Sequence, residues 1–299
     1  MPTEKIKKVL KELQSLGILK IIFSHGESLL RNDFLGIVNF CNEIDLHVTL
    51  LSNGVLLNKD ILKKLIDNGV SKILISLDSL EKDFHNKLRG LNNAWEGAIR
   101  GLDVCRKSGI KFGINTTIND SNFNRLDEFV DFAAKIGADE IDFLAVRPKT
   151  YKPYVVNKDW NKKYPNIIKK IWALKKQFEP GLIIGFHDPL AISVLKDDLN
   201  KKDLRKIIRE NECQAGKMWV SIMPSGDVYP CNFLPINLGN ILKNSFTEIW
   251  KNKDKFFNFK IPESCQNCEL KNLCKGGCKA FPYSINKLSI LGDPRCKLV

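Results

Sequence analysis

"ILKIIFSHGES", residues 18–28, is an apolar run that stops abruptly in polar residues and a glycine. The helical pattern before it, Glu4 to Leu16, ends at Gly17, and the seven residues 18–24 are too few for a buried helix and fit a strand covered on both faces. The same alternation recurs down the chain. A helix near Asp33 to Asn42 precedes "HVTLLSN" (47–53), and one over Lys59 to Asp67 precedes "KILISLD" (72–78). Trp95 to Lys107 leads to "KFGINTTI" (111–118), and Leu126 to Lys135 leads to "EIDFLAVRP" (140–148). Strands each preceded by a helix and bounded by Gly, Asn or Asp imply an α/β fold with a parallel sheet and right-handed crossovers, either open or closed into a barrel. After Pro148 the pattern weakens to a helix around Asn166 to Phe178, a strand at "GLIIGF" (181–186) and a charged linker near Lys196 to Glu210. A domain boundary near 205 is expected, dividing the chain into 1–204 and a cysteine-rich 205–299.

Composition narrows the function classes. The 299 residues are 43% hydrophobic and 27% charged, ordinary for a globular protein with a sizeable core. No run of eighteen apolar residues occurs, and "MPTEKIKKVLKELQ" lacks the apolar region of a signal peptide, so no membrane partner and a cytoplasmic location are expected. The net charge of +13 comes from lysines scattered along helical polar faces ("KKVLKEL", "DILKKLIDNG", "NIIKKIWALKKQ") with no basic block interleaved with aromatics. That pattern disfavours nucleic acid and reads as a solvated surface, leaving an acidic substrate or acidic electron carrier as the other use of the charge.

Nine cysteines are present, and seven of them lie at 213, 231, 265, 268, 274, 278 and 296. In a reducing compartment such a cluster points to metal or redox chemistry before disulfides. "CQNCELKNLCKGGC" (265–278) has the spacing Cys265-x2-Cys268-x5-Cys274-x3-Cys278, which brings four thiolates within reach of one inorganic centre. Seven exceed one tetrahedral zinc and fall one short of two all-cysteine zinc sites, whereas two 4Fe-4S clusters would use four plus three and leave one iron open. Cys41 and Cys105 stand singly in helical segments and read as buried free thiols.

Cys213-x12-Gly226-x4-Cys231, the 265–278 cluster and Cys296, with "IMPSGDVYPCNF", "LGNI", "FTEIW" and "GDPRC" around them, resemble the SPASM module of radical S-adenosylmethionine (SAM) enzymes. That resemblance implies interleaved ligation. Cys265, Cys268, Cys274 and Cys296 would hold a distal auxiliary 4Fe-4S cluster, and Cys213, Cys231 and Cys278 a proximal one. The α/β part resembles the radical-SAM (β/α)6 partial barrel, incomplete and lacking its first strand. "SHGES" (24–28) is similar to the family's GGE-type turn, which binds the methionyl amino group of SAM; Gly26 and Glu27 match, while His25 and Ser28 stand where Gly and Pro are usual. Ser76 and Arg89 match positions that hold SAM, through its carboxylate, and Leu144 sits where an adenine contact is expected. Taken singly, Glu27 reads as a loop carboxylate, Arg89 as a surface ion pair, Ser76 and Asn53 as strand-end or turn residues, and His25 as a packed side chain. Their order on successive strand ends, where α/β sheets place ligands, favours the functional reading.

One element of the family is missing. The C-x3-C-x2-C loop that binds the SAM-reducing cluster does not occur in these 299 residues. Either Met1 is an internal start and a segment is missing, which is favoured because a barrel begun at its second strand leaves an apolar edge unpaired, or the gene has diverged. A third 4Fe-4S cluster is expected only with such a segment, and SAM binding in this chain is expected to be weak or lost. For the complete enzyme the resemblance implies reductive cleavage of SAM and hydrogen abstraction from a peptide or protein substrate (a maturase-like oxidoreductase) or from a cofactor precursor. Electrons would come from a ferredoxin- or flavodoxin-type donor. Asn232 stands where sulfatase-maturating relatives carry a proton-accepting Asp, and an amide cannot do that work. The alternatives are a non-catalytic iron-sulfur scaffold or electron-transfer protein on a degenerate barrel, and a zinc module attached to a nucleic-acid-contacting α/β domain.

Overall fold

The computed structural model describes residues 1–147, 158–255, 260–285, 292–296 and 298. It forms two compact units, residues 1–144 with 174–185, and residues 145–173 with 186–299. In chain order the first elements are α1 (Thr3–Ser15), β1 (Lys20–Phe23), α2 (Phe34–Glu43), β2 (His47–Ser52), α3 (Lys59–Asp67) and β3 (Val70–Ser76). Next come α4 (Lys82–Arg89), α5 (Ala94–Ser108), β4 (Lys111–Ile118), α6 (Leu126–Lys135), β5 (Glu140–Ala145), α7 (Lys158–Phe178) and β6 (Ile183–Phe186). The strands form one six-stranded parallel sheet in the order β1-β2-β3-β4-β5-β6, with β1 and β6 at its edges. Parallel pairing needs a long crossover between neighbours, and the helices supply it.

The six expected strands and the helices before them are present, with ends that differ by a few residues. Pro148, the last residue of the expected fifth strand, lies outside the described residues. Val48, Leu50, Ile73, Ile75, Ile114, Ile141 and Phe143, at alternate positions of their strands, are fully buried, while the intervening positions include polar side chains such as Lys72 and Glu140, which form an ion pair. Helices α2, α3, α5 and α6 turn Val38, Leu65, Ala98 and Val130 into that core. Cys41 and Cys105 lie there too, and burial pushes their thiols up to about 11 and about 12. At the β1 edge Leu19 and Ile22 are exposed, as an edge strand with no neighbour on one side leaves them.

Register places the strand C-termini side by side. Phe23 pairs with Leu50, Ser52 with Ile75, and Ser76 with Asn115, so the loops after β1, β2 and β3 emerge at one edge. Helix α5 crosses the β2 loop at backbone contact. Gly54 has φ +79°, and a Cβ there would meet the Gly97 carbonyl oxygen at 2.7 Å; a Cβ on Gly97 would meet Val55 Cα at 2.7 Å. Neither position admits a side chain.

Two segments depart from the expectation. The segment at 196–210, expected as a charged linker, is largely helix α9 (Lys201–Asn211), following the short α8 (Leu190–Leu195). Asn200 caps α9 by accepting from the Asp203 N–H, and among its charged residues only Ile207 and Asn211 are buried, a stripe too thin to read as periodic. Helix α4 was hidden for the same reason, since His85 is its one buried residue. The rest of the second unit holds β7 (Ser221–Ile222), β8 (Asp227–Tyr229) and β9 (Gly239–Asn240), an antiparallel sheet, then α10 (Phe246–Asn252), α11 (Lys271–Cys274) and α12 (Ala280–Ile285). No described helix is long and apolar enough to cross a membrane.

The loop after β3 is fixed by a buried polar node. Asp78 Oδ1 accepts from Thr117 N–H at 2.8 Å, its backbone N–H donates to His85 Nδ1 at 3.2 Å, and Asn122 Nδ2 donates to its carbonyl at 2.9 Å. Burial, helped by the Arg89 charge, lowers the His85 pKa from 6.5 to about 4. The unfolded chain therefore takes up a proton below pH 6.5 that the folded chain refuses until about pH 4, so stability falls as pH drops through that window. His85→Asn keeps a short acceptor without a titrating ring. Urea midpoints measured between pH 7 and 4 should fall more steeply in the wild type than in this variant, and parallel curves would refute the assignment.

Candidate functional site

Glu27 sits where the turn after β1 meets the end of β2. The chain enters that turn through two left-handed residues, His25 at φ +66° and Gly26 at φ +71°. The first is strained for a non-glycine side chain, and its Nδ1 lies 3.3 Å from Ser24 Oγ. Glu27 Oε2 accepts from Ser52 Oγ at 3.0 Å and from Asn53 N–H at 2.9 Å, while Oε1 accepts from Leu29 N–H at 3.3 Å. The carboxylate thus ties two strand ends together and remains half-buried.

Arg89 lies at the C-terminus of α4 and forms a 2.7 Å ion pair with the buried Asp78. Burial raises the Asp78 pKa, and the Arg89 guanidinium opposes that rise. Ser76 ends β3 and Leu144 lies one residue before the end of β5, both half-buried. The five expected SAM residues therefore lie at or beside strand C-termini of the first unit, with Glu27 and Arg89 already engaged by protein partners. Asp78 and Ser52, which make those engagements, were not singled out from sequence. The signal was in "SLD", where the Asp and not only the Ser carries the loop.

The second unit carries seven of the nine cysteines, Cys213, Cys231, Cys265, Cys268, Cys274, Cys278 and Cys296, all free thiols with none in a disulfide. Cys265, Cys268, Cys274 and Cys296 line one small cleft, with Leu270, Lys271 and Asp293 beside them. A Cβ on Gly292 would meet Cys265 Sγ at 2.9 Å, so this glycine lets the C-terminal segment carrying Cys296 pass close to the first ligand. Four thiols around one mainly apolar cleft match the donor set of an iron-sulfur cluster. Among the described residues no three His, Cys, Asp or Glu side chains converge on a single-ion site.

Cys213, Cys231 and Cys278 belong to a neighbouring part of the same unit. Phe233, two residues after Cys231, packs on the buried group of Cys278, Ala280 and Phe281. Cys213 is near enough to Cys231 for its charge to raise the Cys231 pKa, though burial is the larger cause. Glu212, just before Cys213, binds Lys275, just after Cys274, at 2.5 Å, which ties the two groups of cysteines together. Burial pushes Cys274 and Cys278 up to about 12, and Arg147 and Arg295 oppose the rise at Cys278. Metal loading at these positions must therefore expel protons.

Sequence reasoning missed the charges around these thiols. Arg295 and Asp293 flank Pro294 in "GDPRC", where only the cysteine was taken as functional; an acid and a base beside a ligand were the available signal. Asn232 accepts a short hydrogen bond from Ser221 Oγ.

Comparison with known proteins matches these two regions to two family models. Residues 1–133 match the radical SAM superfamily, and residues 213–278 match SPASM, an iron-sulfur cluster-binding domain. An AdoMet-dependent heme synthase of Methanosarcina barkeri is 27% identical over 307 residues, covering 99% of this chain and 87% of that protein. A PqqA peptide cyclase of Bradyrhizobium diazoefficiens is 23% identical over 318 residues, covering 100% of this chain and 78% of its own. Among solved structures, SuiB of Streptococcus suis bound to S-adenosylmethionine superposes with a TM-score of 0.80 at 18% identity, over 99% of this chain and 70% of that one. The α/β sheet with its strand-end turn and the thiol-lined module thus correspond to two known domains: residues 1–133 form a radical SAM superfamily domain and residues 213–278 a SPASM iron-sulfur cluster-binding domain, which together imply iron-sulfur clusters and SAM.

Proposed function

We propose that the chain works in radical SAM chemistry on a peptide or protein side chain or on a cofactor precursor, with 1–204 as the barrel domain and 205–299 as the iron-sulfur domain. The observation that carries this reading is the convergence of Cys265, Cys268, Cys274 and Cys296 on one cleft. Those four would hold one auxiliary 4Fe-4S cluster; Cys213, Cys231 and Cys278 would hold a second, with an iron left for an outside ligand. Clusters bound there would supply one-electron transfer. Arg147 and Arg295 offset thiolate charge at Cys278. A ferredoxin- or flavodoxin-type donor, commonly acidic, suits a chain of net charge +13. The heme synthase and peptide cyclase among the relatives support the two substrate classes.

SAM would lie along the strand C-termini. Glu27 would accept from the methionyl ammonium with the lone pairs its three present hydrogen bonds leave, and Arg89 would pair with the carboxylate. Gly26 would allow close backbone approach, with Ser76 and Leu144 on the flanks. No C-x3-C-x2-C occurs in residues 1–299, so binding here rests on protein groups alone, and a third cluster would need a segment outside these residues. The prior engagement of Arg89 by Asp78 favours a second reading, an electron-transfer protein that does not turn SAM over.

Anaerobically reconstituted chain should carry about eight irons with matching sulfide, and Cys265→Ala with Cys268→Ala should remove about half the absorbance near ~400 nm. Unchanged iron in that double variant sinks the ligand assignment, and one or two zincs in place of iron refute clusters altogether.

Calorimetry should give a SAM dissociation constant of about a millimolar, weakened about tenfold by Glu27→Gln and lost with Arg89→Ala. Tight binding indifferent to both changes would mean that the pocket lies elsewhere.

With SAM and dithionite the chain should yield no 5'-deoxyadenosine above a protein-free control. Catalytic formation of that product would show that another site replaces the absent cysteine loop and would remove the electron-transfer reading.

A further inference from the structure

Next to the thiol-lined cleft lies a set of fully buried charges for which neither sulfur ligation nor SAM binding gives a reason. Arg295 Nε donates to Asp293 Oδ1 at 3.0 Å and its Nη2 to Asp293 Oδ2 at 2.7 Å, a two-pronged grip on one carboxylate. Its Nη1 donates to Asp188 Oδ2 at 2.8 Å. All three side chains have no solvent exposure. The guanidinium is stacked over Phe281, with its centre 3.8 Å from the ring centroid, and Tyr164 donates to Asp188 at 2.5 Å. A buried ion network this complete is costly to assemble and is kept where geometry must be specified.

What it specifies is visible in the bonds of Asp293. Its Oδ2 accepts from the Cys278 N–H at 3.0 Å, its own carbonyl accepts from the Cys296 N–H at 2.9 Å, and its N–H donates to the Gly276 carbonyl at 3.0 Å. The approach is close enough that a Cβ on Gly277, which has φ +78°, would meet Asp293 Cβ at 2.4 Å. Asp293 thus touches one cysteine from each of the two ligand sets, and also the turn between Cys274 and Cys278 that joins them. Asp188 reaches Arg295 but bonds neither cysteine.

We propose that Asp293, locked by Arg295 against Asp188, is a positioning residue shared by the two cluster sites, so that its carboxylate fixes their relative placement and biases the potential of both. The inference rests on the ligand assignment proposed above. A carboxylate beside both thiolate sets disfavours adding an electron to either, and it holds the Cys278 N–H toward itself and away from sulfur, where a hydrogen bond would stabilise the reduced cluster. Asp188 acts only through Arg295 and only on the Cys278 side.

The test uses the full chain, reconstituted anaerobically, with iron and sulfide content and a redox titration followed by electron paramagnetic resonance. Asp293→Asn keeps the shape and removes the charge. It should retain both clusters and move both midpoint potentials upward together, whereas Asp188→Asn should move one. A shift of one potential only, or of none, in Asp293→Asn with iron retained overturns the proposal. If Asp293→Asn loads poorly, the loss must fall on both sets: iron below half the wild-type value supports the shared role, and loss of half with one intact signal overturns it. Arg295→Lys, which keeps the charge but cannot grip two carboxylates, should shift both potentials in the same direction by less; opposite shifts, or none, count against the proposal. Wild-type chain without about eight irons would instead fault the ligand assignment itself.

Discussion

Parallel pairing of β2 and β3 with neighbours on both sides is the constraint from which the first unit follows. Strands that run the same way cannot be joined by a tight turn, so every connection must travel the length of the sheet, and a helix is the shortest way to do so while satisfying its own backbone. With the strands in sequential order these helices lie on one face, where the alternate apolar residues of each strand are buried. Parallel pairing also forces all strand C-termini to one edge, where the turn after β1 and the end of β2 meet at a single carboxylate. Glu27 closes that edge by bonding Ser52 and the Asn53 N–H, so the residue expected to greet a ligand is also one that holds the scaffold in shape.

The second unit is organised on the opposite principle. Its sheet is three strands of two or three residues, and near the sulfurs it buries Phe281, with Phe233 packed against that group and a cation stacked on the ring. The segments around the sulfurs are tied together by other means as well. The charges supply them: Glu212 with Lys217 and Lys275, and Arg295 with its two carboxylates. Cluster ligation would add the strongest ties of all.

How much of this could be read beforehand depends on the kind of signal. The sheet was legible because "KILISLD" and its counterparts are short, largely apolar and punctuated by Gly, Asn or Asp. The dense run of cysteines was legible as a site for an inorganic centre, but its spacing groups Cys278 with Cys265, Cys268 and Cys274, whereas the fourth thiol lining the cleft is that of Cys296. Helix α9 was not legible, since a helix that buries Ile207 and Asn211 alone shows no apolar face. The partner of Arg89 was not legible, since only the fold brings Asp78 to it. Arg295 and Asp188, 107 positions apart, could not have been paired from sequence at all.

Burial of Cys274 and Cys278, with pKa values raised to about 12, has a consequence for the life of the protein before any metal arrives. At neutral pH both stay protonated, and the thiolate is the form that alkylating agents and peroxides attack. These two thiols are therefore less reactive than exposed, acidic cysteines. The same protection slows assembly, since each of these sulfurs must surrender its proton inside an apolar wall before it can bind iron. A delivery system that brings a preformed cluster, and with it a base to receive those protons, would face a lower barrier than free iron and sulfide.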